Sequence, residues 1–264
     1  MNPSPTHLVL IPSFNTGGIL ADTVREALRH WSPVWVVIDG STDGSAAAVQ
    51  ALAAGDPRVR VMVRERNGGK GAAVATGVAE ALAAGFTHVL SLDSDGQHSA
   101  AHIPEFMRAS MEHPAALVLG RPVFGPEAPA VRRYGRKLSI WLARLEILGP
   151  GIDDPLFGFR VYPVAALHRV FAATRGARRF DFDHEAAVRM FWAGVPTLNL
   201  PAPCRYLAKS AGGVSHFHYV RDNLVLIRLH LRLLAEFVLG RWLTVVRRRR
   251  AGAFAAASPL REPS

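Results

Sequence analysis

The 264-residue sequence predicts an α/β protein built on a mostly parallel sheet that is flanked by helices. Its first half alternates short, β-branched apolar runs with Ala-rich helical stretches, which is the pattern of strands joined by right-handed helical crossovers. Three of the first four apolar runs are nearly continuous, as expected for parallel strands covered on both faces. An apolar fraction of 49% excludes global disorder, and the length suits one large domain with a tail.

The elements follow one another in a regular order in the first half. The predicted strands cover residues 8–11, 34–38, 59–63 and 88–90, and the predicted helices cover 19–30, 45–54 and 71–84. The second half predicts helices at 101–111 and 132–148 and strands at 116–120 and 197–200. It also predicts a proline-rich loop or lid at 121–130, a constrained loop leading into a strand at 153–160, a helix that opens at 180–185, and a closing loop at 201–203.

Two carboxylates follow the fourth strand. Asp93 and Asp95 are one residue apart, so in an extended chain they project to the same side and repel each other unless a cation lies near them. Carboxylate oxygens of this kind suit Mg²⁺ or Mn²⁺, which complete their shells with water and substrate phosphates. Ordinary turn chemistry around Gly96 is the alternative, and this pair alone does not decide between the two.

The other three strand ends are also polar. They carry Pro12-Ser13-Phe14-Asn15, Asp39-Gly40-Ser41-Thr42-Asp43-Gly44 and Arg66-Asn67-Gly68-Gly69-Lys70-Gly71. Each loop alone could be a helix cap or a tight turn. In parallel sheets, however, ligands bind outside the carboxyl ends of the strands, so four polar loops at that edge predict a site for a nucleoside diphosphate.

These motifs, in order, resemble those of family 2 glycosyltransferases. The segments that carry the resemblance are Ile11–Asn15, Ile38–Gly44, Asn67–Ala72 and Asp93–His98, within a match over residues 7–200. The family has the GT-A (Rossmann-like) fold and includes dolichyl- and polyprenyl-phosphate sugar synthases. The resemblance implies an inverting, metal-assisted transfer of a sugar from a UDP- or GDP-linked donor to a membrane-associated lipid or lipid-phosphate acceptor. It also implies a donor half at 1–100 and an acceptor half at 101–215.

The resemblance assigns roles in the donor half. It places Pro12, Ser13 and Asn15 near the nucleoside and Asp39 on the base edge. Asp93 would reach the ribose or the metal, and Asp95 would be the metal ligand that supports catalysis. Asn67 and Lys70 would contact phosphate or ribose through the Gly-rich loop. One position departs from the family: Ile38 stands where a second acidic residue is common, which bears on the identity of the base.

In the acceptor half, Asp153-Asp154-Pro155-Leu156-Phe157-Gly158-Phe159-Arg160 is similar to the Asp-Pro-x-x-Gly-Phe-Arg segment of the polyprenyl-phosphate sugar synthases, with Phe157 replacing their usual Ser. Asp154 matches the acid, which would be either a general base for a hydroxyl acceptor or a brace that orients Arg160 or a basic neighbour. Arg136 lies in the basic first turns of the predicted helix at 132–148, which form either a solvated face or a rim for phosphates. Arg136 and Arg160 are the candidate substrate-binding residues of this half.

Further acidic and histidine residues remain open in their roles. Asp183 and Glu185 either satisfy a helix dipole or line the acceptor cleft. His216 and His218 are either surface residues or additional metal ligands.

The charge and the C-terminal segment predict an anionic partner. The net charge is +10, and residues 216–250 form an amphipathic basic helix with Arg221, Arg228, Arg232 and Glu236 on one stripe. Arginines disfavour a membrane span, so the helix is expected on an anionic membrane surface, or else packed on the catalytic domain or on the second copy of a homodimer. Residues 251–264 are expected to be disordered.

Location and the competing functions follow from the remaining features. The single Cys204 and the absence of a signal-peptide pattern predict a cytoplasmic protein, peripheral on the cytoplasmic face of the membrane. Nucleic-acid binding is not expected, because no recognisable module carries the basic residues. A sugar-phosphate nucleotidyltransferase is disfavoured by Pro12–Asn15 after the first strand, where those enzymes have a Gly-rich basic signature. A catalytically decayed nucleotide-binding, membrane-docking subunit is supported only by Ile38.

Overall fold

The computed structural model describes residues 2–125, 130–174, 176–204 and 219–250. Seven strands form one mixed sheet: β1 His7–Ser13, β2 Val34–Asp39, β3 Val59–Arg64, β4 His88–Ser91, β5 Leu117–Phe124, β6 Arg160–Pro163 and β7 Thr197–Cys204. The helices are α1 Ile19–His30, α2 Ser45–Gly55, α3 Lys70–Ala83, α4 Ile103–Glu112, α5 Ala130–Glu146, α6 Val164–Ala173, α7 Phe182–Trp192, α8 Tyr219–Glu236 and α9 Trp242–Arg250. This is the predicted α/β architecture.

Helices cover both faces of the sheet, and each face has its own apolar core. Alternate residues of β1 point to opposite sides, as extended backbone requires. Leu8 and Leu10 join a core with residues of α3, α6, α7 and α8, whereas Val9 and Ile11 join a core with residues of α1 and α4. The continuous apolar runs of the sequence therefore reflect burial on two sides, as predicted for parallel strands.

The sheet order is β3-β2-β1-β4-β6-β5-β7, and the direction of β6 positions the functional site. The first four strands in the chain are parallel, and β6 runs antiparallel to both of its neighbours. Ser91 at the end of β4 is therefore paired with Arg160 at the start of β6. As a result, the loop that precedes β6 lies at the same edge as the polar loops that follow β1–β4.

The first-half elements agree with prediction to within two residues at each end, but two second-half loops were predicted wrongly. Residues 121–124 of the proline-rich stretch continue β5, and residues 201–203 continue β7. The two strands pair with each other as far as Phe124 and Cys204. The prolines are tolerated because β7 is an edge strand and β6 pairs only with Val118 and Leu119 of β5.

The C-terminal helix packs on the catalytic domain through one face. Leu229, Leu233 and Phe237 are buried in the core shared with α6 and α7, which is the packing alternative weighed from the sequence. Other apolar side chains of this segment are exposed to solvent, and the exposed fraction of Leu239 is 86%. A π-helical turn at Phe237–Arg241 separates α8 from α9. In the described part of the chain no helix combines the length and apolarity that a bilayer crossing requires.

Two members of the predicted stripe on this helix contact the catalytic domain. Arg232 contacts Glu185 at 2.5 Å, and Glu236 binds Arg189 at 2.8 Å, so both side chains face the catalytic domain. Their spacing gave no sign of this, because the acidic and basic partners lie 47 residues earlier in the chain. His216, His218 and the tail 251–264 lie outside the described residues, and so does the side chain of Arg221.

Candidate active site

The loops after β1 and β2 are tied together by short hydrogen bonds. The side-chain oxygen of Asn15 accepts the N–H of Thr42 at 2.8 Å, and the Asn15 N–H donates to the Ser41 hydroxyl at 3.0 Å. Pro12 and Ser13 are the buried last residues of β1. The predicted nucleoside-binding residues therefore lie together at the carboxyl edge of the sheet.

Asp39 holds the Gly-rich loop in place. Its carboxylate accepts the N–H groups of Gly68 and Gly69 at 3.0 and 2.7 Å and the Nε hydrogen of Arg64 at 2.7 Å. Asp39 is buried. These bonds position the loop that carries Asn67 and Lys70, and the contact of Asp39 with the base edge stays a prediction. The Arg64 contact was not anticipated from the sequence.

Close packing explains one glycine of the β2 motif. Gly40 has φ +67°, and a Cβ on it would lie 2.6 Å from the backbone nitrogen of Asn67. Only glycine allows this conformation and this approach together. The motif at the end of β2 and the Gly-rich loop after β3 thus meet at Gly40 and Asn67.

Lys70 joins the two halves of the molecule. Its ammonium lies 2.7 Å from a carboxylate oxygen of Asp93 and 2.7 Å from one of Asp183. Burial disfavours the ionised form of Asp93, but Lys70 and His98 outweigh it and lower the Asp93 pKa to about 2. Gly158 packs directly against this pair, since a Cβ on it would lie 3.0 Å from Asp93 Oδ2 and closer still to Lys70 Nζ. The loop before β6 therefore closes over the donor-side residues.

Asp95 is electrostatically less satisfied than Asp93. Burial raises its pKa and the negative charge of Asp93 raises it further, while His98, the bond at 3.0 Å from the Gln97 N–H and Lys70 only partly offset this rise. Two neighbouring carboxylates that disfavour each other's ionisation fit a divalent cation. The residues present thus suit the predicted Mg²⁺ or Mn²⁺ ion, with Asp95 as its stronger candidate ligand.

Asp154 is a brace in this structure. Its side chain is buried, and the two carboxylate oxygens accept the Leu156 N–H at 2.8 Å and the Nε hydrogen of Arg136 at 3.2 Å. Arg136 also stacks over the ring of Phe124, with 5.4 Å between the guanidinium carbon and the ring centre. Asp154 and Arg136, both predicted site residues, are brought together, and Asp154 fixes the direction of the guanidinium.

Arg160 was predicted to contact substrate, and the structure contradicts this. Its side chain is 0% exposed, and its guanidinium donates to the main-chain carbonyls of Phe157 and Asp183, with a longer bond of 3.2 Å to that of Asp154. Arg160 therefore ties the loop before β6 to the start of α7. Glu185 also lies away from the cleft, because its buried carboxylate binds Arg189 and Arg232.

Two residues at the site had no clear signal in the sequence. Asp183 was only a minor candidate, and its partner Lys70 lies 113 residues away. His98 lies 3.6 Å from a carboxylate oxygen of Asp93 and packs edge-on against Phe157, with ring centres 4.6 Å apart. Phe157, which departs from the family pattern, is thereby accommodated as the packing partner of His98. Only the fold brings these side chains together.

The comparisons with known proteins agree with this geometry. The chain matches the model of "Glycosyl transferase family 2" over residues 8–173. It is 30% identical over 209 residues to the polyprenol monophosphomannose synthase of Mycolicibacterium smegmatis, covering 76% of this chain and 78% of that protein. It is 28% identical over 204 residues to the undecaprenyl-phosphate mannosyltransferase of Micrococcus luteus, covering 74% and 81%.

Solved structures share the fold at low sequence identity. The glucosyl-3-phosphoglycerate synthase of Mycobacterium tuberculosis, solved with Mn²⁺, UDP-glucose and phosphoglyceric acid, has a TM-score of 0.61 at 19% identity and covers 87% of this chain and 78% of its own. The mannosyltransferase PcManGT of Pyrobaculum calidifontis, solved with GDP-mannose and Mn²⁺, has a TM-score of 0.57 at 17% identity and covers 98% and 79%. The family match, covering well over half of the chain, confirms the resemblance seen in the strand-end motifs: the protein is a glycosyltransferase and belongs to family 2.

Proposed function

We propose that this glycosyltransferase moves a sugar, with inversion, from a nucleotide-sugar to a polyprenyl-phosphate acceptor at a membrane surface, with Mg²⁺ or Mn²⁺ bound at Asp95 and Asp93. The observation that carries the proposal is the position of Asp95. It lies close enough to Asp93, His98 and Lys70 for their charges to act on its carboxylate, and its pKa is raised by burial and by Asp93. A carboxylate in this state gains most from a cation.

The donor side of the site is built to hold a diphosphate. Asp39 orders the Gly-rich loop, and Asn15 links the ends of β1 and β2, so these loops are held in position before a donor arrives. The ion would supply charge stabilisation for the departing diphosphate. Lys70 holds Asp93 ionised and in place. Solved structures with a similar fold contain UDP-glucose in one case and GDP-mannose in the other, which supports a UDP- or GDP-linked donor.

The acceptor side favours a phosphate over a hydroxyl group. Both carboxylate oxygens of Asp154 are engaged, by Leu156 and by Arg136, so this group is poorly placed to remove a proton. A phosphate is ionised near neutral pH and needs no general base. Arg136 bonds to Asp154 through its Nε, so its two terminal nitrogens would be the groups that bind a phosphate. Two relatives named for polyprenol- and undecaprenyl-phosphate chemistry support this choice.

The acceptor would be presented by a membrane. Helix α5, which carries Arg136, exposes Leu138, Trp141 and Leu145, and the C-terminal segment exposes Leu231, Val238, Leu239 and Trp242. Apolar side chains of this size, next to basic residues, suit the interface of an anionic bilayer. A peripheral position on the membrane would follow from this, and the cytoplasmic face stays a prediction. A homodimer remains a prediction.

The test is a transfer assay with the Asp95→Asn variant. Purified protein is incubated with UDP- or GDP-sugars, a polyprenyl phosphate and Mn²⁺ or Mg²⁺, and sugar in the lipid fraction is measured. We expect turnover to fall by a factor of about 100 or more, because the ion loses its better ligand. Asp22→Asn, a substitution at an exposed position of α1, is the matched control and should keep full turnover. Equal turnover in the Asp95→Asn variant and the wild type would refute the proposal.

A further inference from the structure

A second group of metal-type side chains lies inside the molecule, apart from Asp93 and Asp95. It consists of Glu146 at the end of α5, His184 in α7 and His230 in α8. Their exposed fractions are 0%, 0% and 5%. Among the described residues, this is the one cluster of three or more such side chains whose potential ligand atoms all lie within 4.8 Å of one another. The proposed transfer reaction gives it no role.

The three side chains already point at one another. Glu146 Oε2 lies 2.7 Å from His184 Nε2, and Glu146 Oε1 lies 2.8 Å from His230 Nδ1. The two imidazole rings stand nearly perpendicular, with centres 4.5 Å apart. Each ring therefore turns a nitrogen toward the same carboxylate, which is the arrangement that a single ion between them would need.

The carboxylate of Glu146 has only imidazole partners in this cluster. It is 0% exposed, and its two oxygens contact one nitrogen each of His184 and His230. Within the described chain, no Lys or Arg nitrogen lies within 4.0 Å of this carboxylate. A buried carboxylate in such surroundings is stabilised by a cation.

The outer nitrogens of the two rings are equally informative. His184 Nδ1 and His230 Nε2 are buried, and neither has a hydrogen-bond partner among the described residues. If an ion took the inner nitrogens, each ring would carry its proton on the outer nitrogen instead. This change of tautomer would break no hydrogen bond of the outer nitrogens, because they make none.

The donor set and its size indicate the kind of ion. Two imidazole nitrogens and one carboxylate oxygen are a common set for zinc, with ligand distances of about 2.0–2.2 Å. Tetrahedral geometry at those distances separates ligand atoms by about 3.4 Å, so the two Glu–His contacts would have to lengthen by about 0.6 Å. Small side-chain rotations supply such a change. Mg²⁺, which prefers oxygen ligands and water, does not fit this set.

We propose that Glu146, His184 and His230 form a zinc-type metal site that links α8 to the catalytic domain. Glu146 and His184 belong to the catalytic domain and His230 to α8, so the set is complete only when the C-terminal helix is docked. Metal binding is coupled to that docking, as it is to folding in other sites assembled from distant segments. The site takes a transition metal ion, whereas the Asp93–Asp95 pair takes a hard, oxygen-seeking ion.

The test is metal analysis of the full chain, purified through a tag without histidines. The expected result is about one equivalent of zinc per chain, retained after brief exposure to EDTA, with a thermal midpoint that falls on removal by a strong chelator and returns with added Zn²⁺. A chain that is purified metal-free, and whose midpoint does not rise with added Zn²⁺, overturns the proposal.

His230→Asn is the variant that separates a metal site from a plain hydrogen-bonded cluster. An Asn amide nitrogen lies close to the position of the imidazole Nδ1, so it keeps the bond to Glu146 but is a poor metal ligand. We expect this variant to lose the zinc and the zinc-dependent rise in midpoint, while His168→Asn, at an exposed position of α6, keeps both. Asp95→Asn should also keep the zinc. Equal zinc content in the His230→Asn variant and the wild type overturns the proposal, and should the variant not fold, the two wild-type measurements decide.

Discussion

The two halves of the sheet use their charged and polar residues in different ways. Up to residue 100, polar side chains lie directly after a strand and form hydrogen bonds with the loop after the next strand, as Asn15 does with Thr42. Beyond residue 100, charged residues bind partners far along the chain and are buried, as Arg160 and Glu146 are. The first half therefore places its polar groups along one edge of the sheet, whereas the second half uses many of its charged groups to hold loops and helices together.

This difference follows from topology. Consecutive parallel strands end at one edge of the sheet, so neighbours in sequence become neighbours in space with little help from the rest of the chain. In the second half, β6 reverses direction and α5, α7 and α8 converge from separate parts of the sequence. Their contacts form only when the whole domain is assembled. Substitutions in the two halves should accordingly differ in what they damage.

The largest effect on stability is expected for Arg160→Met. The substitution removes a fully buried guanidinium and leaves the carbonyls of Phe157 and Asp183 without their donor. We expect the free energy of unfolding to fall by about 3–5 kcal/mol, measured by urea denaturation. Arg25→Met, which breaks an exposed pair with Asp22 on α1, should cost about 0.5 kcal/mol or less. A loss at Arg160 as small as that at Arg25 would contradict the structural role of this residue.

The sequence predicted the structure of the first half better than that of the second, because contacts in the first half join neighbouring strand ends. Strands and helices, and the position of the candidate site residues Asn15, Lys70, Asp93 and Asp95 at one edge of the sheet, were predicted from alternation and from the residues after each strand, which are local signals. Asp39 was placed at the right edge, but its bonds to Gly68 and Gly69 depend on a loop 29 and 30 residues away. Nothing near Arg160 in the sequence shows that its neighbours offer carbonyls instead of a substrate.

The second expected effect is the coupling between Lys70 and Asp183, which connects the two halves. The ammonium of Lys70 lies 2.7 Å from a carboxylate oxygen of Asp183, in a largely buried position. A double-mutant cycle with Lys70→Met and Asp183→Asn should give a coupling free energy of about 1–3 kcal/mol in urea denaturation. The matched cycle on the exposed pair Arg25 and Asp22, with Arg25→Met and Asp22→Asn, should give about 0.5 kcal/mol or less. Coupling indistinguishable from that surface pair would show that the halves do not meet through Lys70.

The smallest effect is expected for the stability of the Asp95→Asn variant, and its sign distinguishes a ligand site from a brace. Without divalent metal, the charge of Asp95 repels that of Asp93, so removing it should raise the free energy of unfolding by up to about 1 kcal/mol at pH 7, although transfer is lost. Because the Asp95 pKa is raised in the folded protein, the destabilisation is fully present above that pKa and disappears as pH falls below the ordinary value of 3.8.

Urea denaturation of the wild type and the Asp95→Asn variant, in EDTA at pH 7 and near pH 3.5, measures this difference in the free energy of unfolding. Adding Mn²⁺ at pH 7 should reverse the order, since only the wild type keeps the better metal ligand. A variant less stable than the wild type in EDTA would place Asp95 with the bracing residues of the second half.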